Sequence, residues 1–487
     1  MEICLSAFLG ELISGSINFF INRSLKPPAL DVEDRLRRTL LRAEVILDEA
    51  MGRAITNRAM LQQLDMLRGA MHRGYYTLDT FRYKYHDKEE SKDQVVSSPS
   101  SFLLSKVNSA KDLCFSGETS STKMILGEMQ EVLADLSSMI LDANELVLLL
   151  TSYPRMCREP YSMHLLLNKC MFGRQMETEL VISFLLCRQA RDSEDLEILP
   201  IVGPGRIGKT TLVAHVCNDE RVRDHFSEIM FLSSQEDFRY GDLTTCTVKK
   251  YGRVLVVVEV DGEIDEGVWK RLCSSCKQCM ASGSKIIITS RSDSITNLGT
   301  TRALTMKSLS QEAYWYFFKT LTFGSTNPEM HPKLACLAME IARVMNGSLI
   351  SANITACFLR DNFDIHIWCK VLAFLKGLIQ KHVSKFGRHP SDVVNQNGPA
   401  HLGRMCGSLE DLLVHHQYQR PSQEEVPRIT LEAVIYGNLQ PPGKFEVLAW
   451  RSQIPPYHSY IYTCEIRGIK TAPAKRKRAM RNGVTLS

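Results

Sequence analysis

The sequence predicts a multidomain chain. An N-terminal α-helical bundle comes first, then an α/β domain with a parallel sheet around a phosphate loop, then a helical subdomain. A C-terminal region, to which no fold is assigned, follows. Three observations carry this prediction. Apolar residues recur at helical spacing through roughly the first 150 residues. A glycine-rich loop joins a short apolar run to a helical stretch. Beyond it, short apolar runs alternate with helical segments. The 487 residues are enough for several domains.

Leu36, Leu40, Ala43, Leu47, Ala50 and Ala54 alternate steps of four and three, a heptad-like stripe with charges on the other faces. Leu61, Leu64, Leu67 and Met71 continue it after a break. A third stripe runs through Ile125, Met129, Val132, Leu136, Met139, Ala143 and Leu146. The Ser- and Lys-rich stretch at 88–122 reads as a long loop. The expected unit is a bundle of four antiparallel helices over 1–155 with one long connection.

Residues 165–325 are the expected α/β domain. Its apolar runs are Ile198–Val202, Ile229–Leu232, Val254–Val258 and Ile286–Thr289, interleaved with helical stretches as in a parallel sheet. Between the first run and its helix lies Gly203-Pro204-Gly205-Arg206-Ile207-Gly208-Lys209-Thr210-Thr211, which fits G-x-x-x-x-G-K-[ST] in its required strand–loop–helix setting. Gly203, Gly205 and Gly208 would let backbone N–H groups close around phosphate oxygens, helped by the helix N-terminus. Lys209 would reach the terminal phosphates, and Thr210 would place its hydroxyl on Mg²⁺. The competing reading is a glycine turn with a solvated lysine.

A phosphate loop needs a second strand ending in a carboxylate to hold Mg²⁺. Arg253–Asp261, whose apolar run is what a buried parallel strand requires, is the candidate. A further strand, Gly283–Arg291, ends in an arginine. Ligands of open α/β sheets sit at the carboxyl ends of strands, so Arg291 is placed to meet a γ-phosphate.

In order, these segments resemble the coiled-coil, NB-ARC type of plant disease-resistance protein, a family of P-loop NTPases. Phe172-Gly173-Arg174 resembles the adenine-side motif, and the loop ends in the family's Gly-Lys-Thr-Thr-Leu. Arg253–Asp261 resembles the Walker B strand, Gly283–Arg291 the sensor strand, and Leu309–Trp315 the segment after it. Gly347-Ser348-Leu349-Ile350 stands in the place of Gly-Leu-Pro-Leu. The resemblance covers about residues 1–385 and implies a helical ARC1-like subdomain at 326–388. The cofactors it implies are ADP or ATP with Mg²⁺. Phe172, Gly173, Arg174, Gly203, Gly205, Gly208, Lys209, Thr210, Thr211 and Arg291 would hold the nucleotide, and Thr210 and Glu259 the metal. The implied role is a switch in innate immunity, closed with ADP and open with ATP. The N-terminal helices would contact protein partners.

Departures from the pattern shape the expectation. Where the family has paired aspartates, this chain has Glu259 and Val260. A valine neither positions nor deprotonates water, so at most weak ATPase activity is expected. Asp261 is one residue late. Ser348 or Leu349 replaces the motif proline, predicting weaker base contacts. His72–Asp79 retains one aspartate where acidic residues would precede it, which argues against the usual intramolecular docking. No Met-His-Asp motif, winged-helix pattern or leucine-rich repeat follows. The sequence thus also admits a nucleotide-independent interaction module or decoy with a vestigial loop, and a catalytically active ATPase.

Residues 389–487 carry strand-like runs at Phe445–Trp450 and Tyr460–Ile466 and the basic tail Lys475-Arg476-Lys477-Arg478. The tail reads either as a solvated end or as a nuclear import signal. Without a zinc-finger or basic-zipper pattern, nucleic acid is not the expected partner. The net charge of +5 does not argue for one either. Residues 3–21 are expected to form a core helix of the bundle, with membrane contact as the alternative. Glu2 and Glu11 make the start a poor signal peptide, so a cytoplasmic chain with reduced thiols is expected. Cys273, Cys276 and Cys279 read as helix packing, because zinc sites want four ligands. His415 and His416 belong to no recognisable triad.

Overall fold

The structure is a computed structural model describing residues 28–51, 53, 55–93, 119–154, 171–187, 196–232, 252–260, 262–395, 399–405, 410–420, 425–437, 439–454 and 457–468. The expected first helix at 3–21, Ala54, Asp261 and the basic tail lie outside the described residues. No helix among them is long and apolar enough to cross a membrane.

Helices α1 (Pro28–Met51), α2 (Arg58–Asp93), α3 (Thr119–Asp142) and the short α4 (Asn144–Leu150) form the N-terminal unit. The stripes do pack inward. Leu36, Leu40, Ala43, Leu47, Leu61, Leu64, Leu67, Met129 and Leu136 form one buried cluster. Asn57 starts α2 by accepting from the amides of Ala59 and Met60 at 2.9 and 3.3 Å, as an N-cap should. Helix α2 runs to Asp93 and α3 begins at Thr119. Both helices thus extend into the stretch expected as a loop at 88–122, at the α2 end because Lys and Glu are good helix formers even in a polar stretch; residues 94–118 lie outside the described residues.

After α5 (Gln175–Leu186) comes a five-stranded parallel sheet: β1 (Glu197–Val202), β2 (Glu228–Leu232), β3 (Val254–Val260), β4 (Lys285–Ser290) and β5 (Leu304–Thr305), in the order β2-β3-β4-β1-β5. Between strands lie α6 (Lys209–Cys217), α7 (Glu220–His225) and α8 (Glu266–Cys279). Alternate residues feed opposite layers. Leu199, Ile201, Leu255, Val257 and Ile287 join the α6 side, whereas Ile198, Val202, Val254, Val256, Val258 and Val260 join the α8 side. Burial on both faces explains the near-continuous apolar runs. Cys276 is buried in the α8 layer, and no group of metal-ligating side chains occurs among the described residues.

The helical subdomain consists of α9 (Gln311–Phe323), α10 (Pro332–Val344), α11 (Leu349–Asp361) and α12 (Ile365–Phe386). Tyr314, Trp315 and Phe317 of α9 belong to the core cluster of these helices and to neither layer of the parallel sheet, so the helical core starts before residue 326. A further short helix, α13 (Pro390–Asn395), leads into a second sheet.

The described part of the C-terminal region, to which the sequence assigned no fold, contains a four-stranded antiparallel sheet and a short helix, Leu431–Ile435. The sheet contains β6 (Ala400–Gly403), β7 (Glu410–Arg420), β8 (Lys444–Arg451) and β9 (Ser459–Gly468), in the order β6-β7-β9-β8. His415 and His416 lie on β7, beside a register shift between Val414 and His416. Leu412, Val414, Val447, Tyr462 and Cys464 share a single core cluster with Trp368, Leu359 and Ala352 of the helices.

The N-terminal unit also docks. Asp79 on α2 accepts from Trp315 Nε1 at 2.8 Å and from Lys319 Nζ at 2.5 Å, both on α9. The Tyr76 hydroxyl accepts from Arg343 on α10 at 2.9 and 3.0 Å. Arg37 and Arg82 pair with Glu329. The doubt cast on intramolecular docking by the reduced acidic motif is thereby corrected. The single retained aspartate is buried against a tryptophan and a lysine, and further ion pairs run from basic helix residues to an acidic acceptor.

Candidate functional site

The side chains at the carboxyl end of the parallel sheet surround a cavity of about 310 Å³. Strand β1 delivers the glycine-rich loop there, and Gly208 at the head of α6 takes a left-handed conformation, φ 96°. No side chain caps α6, so its first amides are available to an anion together with the partial positive charge of the helix end. Gly203 has a different task. A Cβ there would stand 2.5 Å from the Met306 carbonyl oxygen, so only glycine lets β1 continue this close to the chain after β5.

Lys209 is buried, and its ammonium donates to the Gly203 and Pro204 carbonyls, both at 2.8 Å. The cation is thus tied to the loop itself, beside the anion-binding amides. The Thr210 hydroxyl donates to Glu259 Oε1 at 2.5 Å. The strand period explains this pairing. Glu259 follows Leu255 and Val257 on the α6 side of the sheet, whereas Val260 follows Val256 and Val258 toward Trp269 of α8. Arg291, just past β4, lines the same cavity.

The opposite end is apolar. Phe172, Leu309, Phe317, Leu321, Leu349 and Ile350 line it, with Asn353 beside them. Ser348 caps α11 by accepting from the Ser351 amide at 3.3 Å, and its carbonyl accepts from the Tyr314 hydroxyl at 2.9 Å. Capping can be done by serine where the motif has proline, and Leu349 and Ile350 still face the cavity.

Phe172, Arg174, Gly208, Lys209, Thr210, Thr211, Glu259 and Arg291 are therefore brought together around one cavity. Gly173, Gly203 and Gly205 are not among its lining residues. Gly173, at φ 64°, sits in the turn before α5 against Leu309. Gly205 faces an adjoining cavity of about 180 Å³. Arg174 reaches the site but is bound by Glu177 at 2.8 Å and the Lys307 carbonyl at 2.6 Å, which makes it a brace for the wall.

Sequence reasoning missed the fourth wall. Gln417, Tyr418, Trp450, Tyr460 and Tyr462 of the antiparallel sheet also line the cavity. Burial raises the Tyr460 and Tyr462 hydroxyls above the usual phenol value. Burial likewise lowers His458 below the ordinary imidazole value, with the Arg420 backbone and the Glu259 charge partly opposing it. The long-range pairing that brings these residues here left no local sequence signal beyond strand-like alternation.

Comparison with known proteins places this geometry. The description "NB-ARC domain" matches residues 178–253. Disease resistance protein RGA2 of Solanum bulbocastanum is 27% identical over 219 residues, which is 39% of this chain and 22% of that protein. Putative disease resistance protein RGA1 of the same species is 26% identical, covering 41% and 22%. Putative disease resistance RPP13-like protein 1 of Arabidopsis thaliana is 24% identical, covering 42% and 22%. The match thus spans about a fifth of the length of these relatives. The structure of C. elegans PCH-2 aligns at 13% identity over 41% of this chain and 68% of that one, with a TM-score of 0.22, too low to carry an argument.

Proposed function

From the premise that this chain is an NB-ARC protein of the plant disease-resistance kind, we propose that it is a nucleotide-dependent switch in defence signalling. The observation that carries the reading is the Thr210–Glu259 pair at the head of an uncapped helix, with Lys209 and Arg291 around the same cavity. This donor set fits a nucleoside phosphate with Mg²⁺. Main-chain amides, an ammonium and a guanidinium suit phosphate oxygens. One hydroxyl and one carboxylate suffice from the protein where phosphates complete the metal's shell. When bound, the nucleotide would supply the charge that distinguishes two states of the protein.

Each residue's part follows. Lys209 holds negative charge at the loop, Thr210 and Glu259 hold Mg²⁺, and Arg291 meets a third phosphate. The apolar end, from Phe172 to Ile350, takes the base. A switch works only through different affinities for the two conformations. The closed one is the docked arrangement described above, favoured by ADP; ATP favours an open one. Val260 offers no atom to orient or deprotonate water, so exchange and not turnover resets the switch. In the open form the N-terminal helices engage protein partners in the cytoplasm. Leu41, Val45, Leu148 and Leu149 on α1 and α4 are exposed apolar residues suited to such contacts.

The decisive experiment is to purify the full chain, denature it and identify the released nucleotide by chromatography. Near-stoichiometric ADP or ATP is expected, and Lys209→Ala should lose it. A folded wild-type chain that carries none and takes up none from solution would leave an interaction module with a vestigial loop.

A further inference from the structure

Arg206 sits inside the phosphate loop with φ 59°, a left-handed conformation that disfavours any residue with a Cβ. An arginine here is strained, and strain at a site invites a functional reading. Its guanidinium reaches across to the antiparallel sheet. Nη1 donates to the Tyr462 hydroxyl at 3.0 Å, and Nη2 donates to Gln417 Oε1. The guanidinium carbon also lies 5.7 Å from the centre of the Tyr462 ring. Tyr460 of the sheet and Thr211 of the loop line the same cavity.

The Gln417 contact has a chemical consequence. Arginine has only donors, so the oxygen of the Gln417 amide must face Arg206, and the orientation of its NH₂ is thereby fixed. That Nε2 is buried and has no hydrogen-bond partner among the described residues, although Gln417 lines the cavity of the phosphate loop. A buried donor left unpaired is destabilising, and an oxygen of a bound ligand would satisfy it.

We propose that the C-terminal sheet is a working wall of the nucleotide site: Gln417 donates to an oxygen of the bound nucleotide, and Arg206 clasps the sheet to the phosphate loop. The inference rests on the nucleotide reading above and adds a specific ligand contact and a control point. Release of the nucleotide then requires the Arg206 clasp to open, because Gln417, Tyr460 and Tyr462 line the same cavity as Lys209 and Thr210 and are held to the loop through Arg206. The clasp also ties ligand exchange to the helical core, with which Tyr462 shares its packing.

The test uses the full chain loaded with a fluorescent ADP analogue and chased with excess ADP. Gln417→Leu removes the amide at similar volume. Arg206→Gly removes the clasp and relieves the backbone, and Tyr462→Phe removes one hydroxyl while preserving packing. Gln417→Leu and Arg206→Gly should each speed release about tenfold, the effect of about one ordinary hydrogen bond, with a smaller increase for Tyr462→Phe. Arg206→Gly should also increase amide hydrogen exchange over residues 410–420 and 459–468. A wild type that binds the analogue, with release unchanged in all three variants, overturns the role of the sheet while leaving the nucleotide reading intact. A wild type that binds no nucleotide removes that reading and the Gln417 contact with it. The clasp is then judged by hydrogen exchange alone, where no difference between wild type and Arg206→Gly overturns it.

Discussion

His72 shows how one side chain reports a whole interface. It is 3% exposed, with its ring 5.5 Å from Phe172 and 5.0 Å from Tyr316. Burial, with the Arg68 and Lys319 charges adding to it, lowers its pKa to about 3. The folded pKa is depressed, so the unfolded chain takes up the proton first. Full stability holds above the unfolded imidazole value of about 6.5 and falls as the pH drops toward 3. At roughly 1.4 kcal/mol per pH unit, acidification to pH 5 costs about 2 kcal/mol. His72→Phe keeps the ring and removes the titration. The drop in melting midpoint between pH 7 and pH 5 should therefore be smaller in the variant; an identical drop would refute the assignment. The residue scale was partly legible beforehand. Lys209 and Thr210 follow from the spacing of the loop motif, which is local, and Glu259 from the resemblance of its strand to the Walker B strand. Gln417 follows from neither, since nothing near it in sequence marks a ligand contact.

At the scale of elements, the contact between α2 and α9 is dominated by its buried members. Asp79 holds the Trp315 indole N–H, and Trp315 is 1% exposed. Removing that carboxylate leaves a buried donor unpaired, at about 1–3 kcal/mol. Glu329 also joins the two units, through Arg37 and Arg82, but its side chain is 46% exposed. Exposed ion pairs contribute about 0–1 kcal/mol. Asp79→Ala should thus lower the melting temperature and speed proteolysis between the N-terminal helices and the rest, and Glu329→Ala should do so much less. The reverse ranking would mean that surface charge, not the buried tryptophan contact, holds the helices. The stripe on α2 predicted the helix and its buried face. It could not predict this docking, because the partner lies more than two hundred residues away.

At the scale of the molecule, the antiparallel sheet and the helices α9–α12 share one core. Ala400, Leu412, Val447 and Cys464 pack in the same cluster as Trp315, Trp368 and Leu372. A chain ended at residue 388 would expose the helix face that the sheet covers. Large exposed apolar patches drive association, so that fragment should be insoluble or rapidly proteolysed, whereas in the full chain the strands at 410–420, 444–451 and 459–468 resist digestion. A soluble, monomeric 1–388 fragment with an undiminished melting temperature would show that the sheet is an independent appendage.

The sequence by itself determined four of the five strands of the parallel sheet, all but the two-residue β5, together with the phosphate loop and the apolar stripes of the bundle. Each is set by interactions within a few residues: period-two or period-3.6 burial, and glycine where the backbone must turn left-handed. Only the tertiary structure decided that an antiparallel sheet closes the cavity, that Arg206 points at that sheet, and that Asp79 meets Trp315. Those contacts join segments far apart in the chain, where local preference is silent and the outcome depends on which surfaces can be buried together.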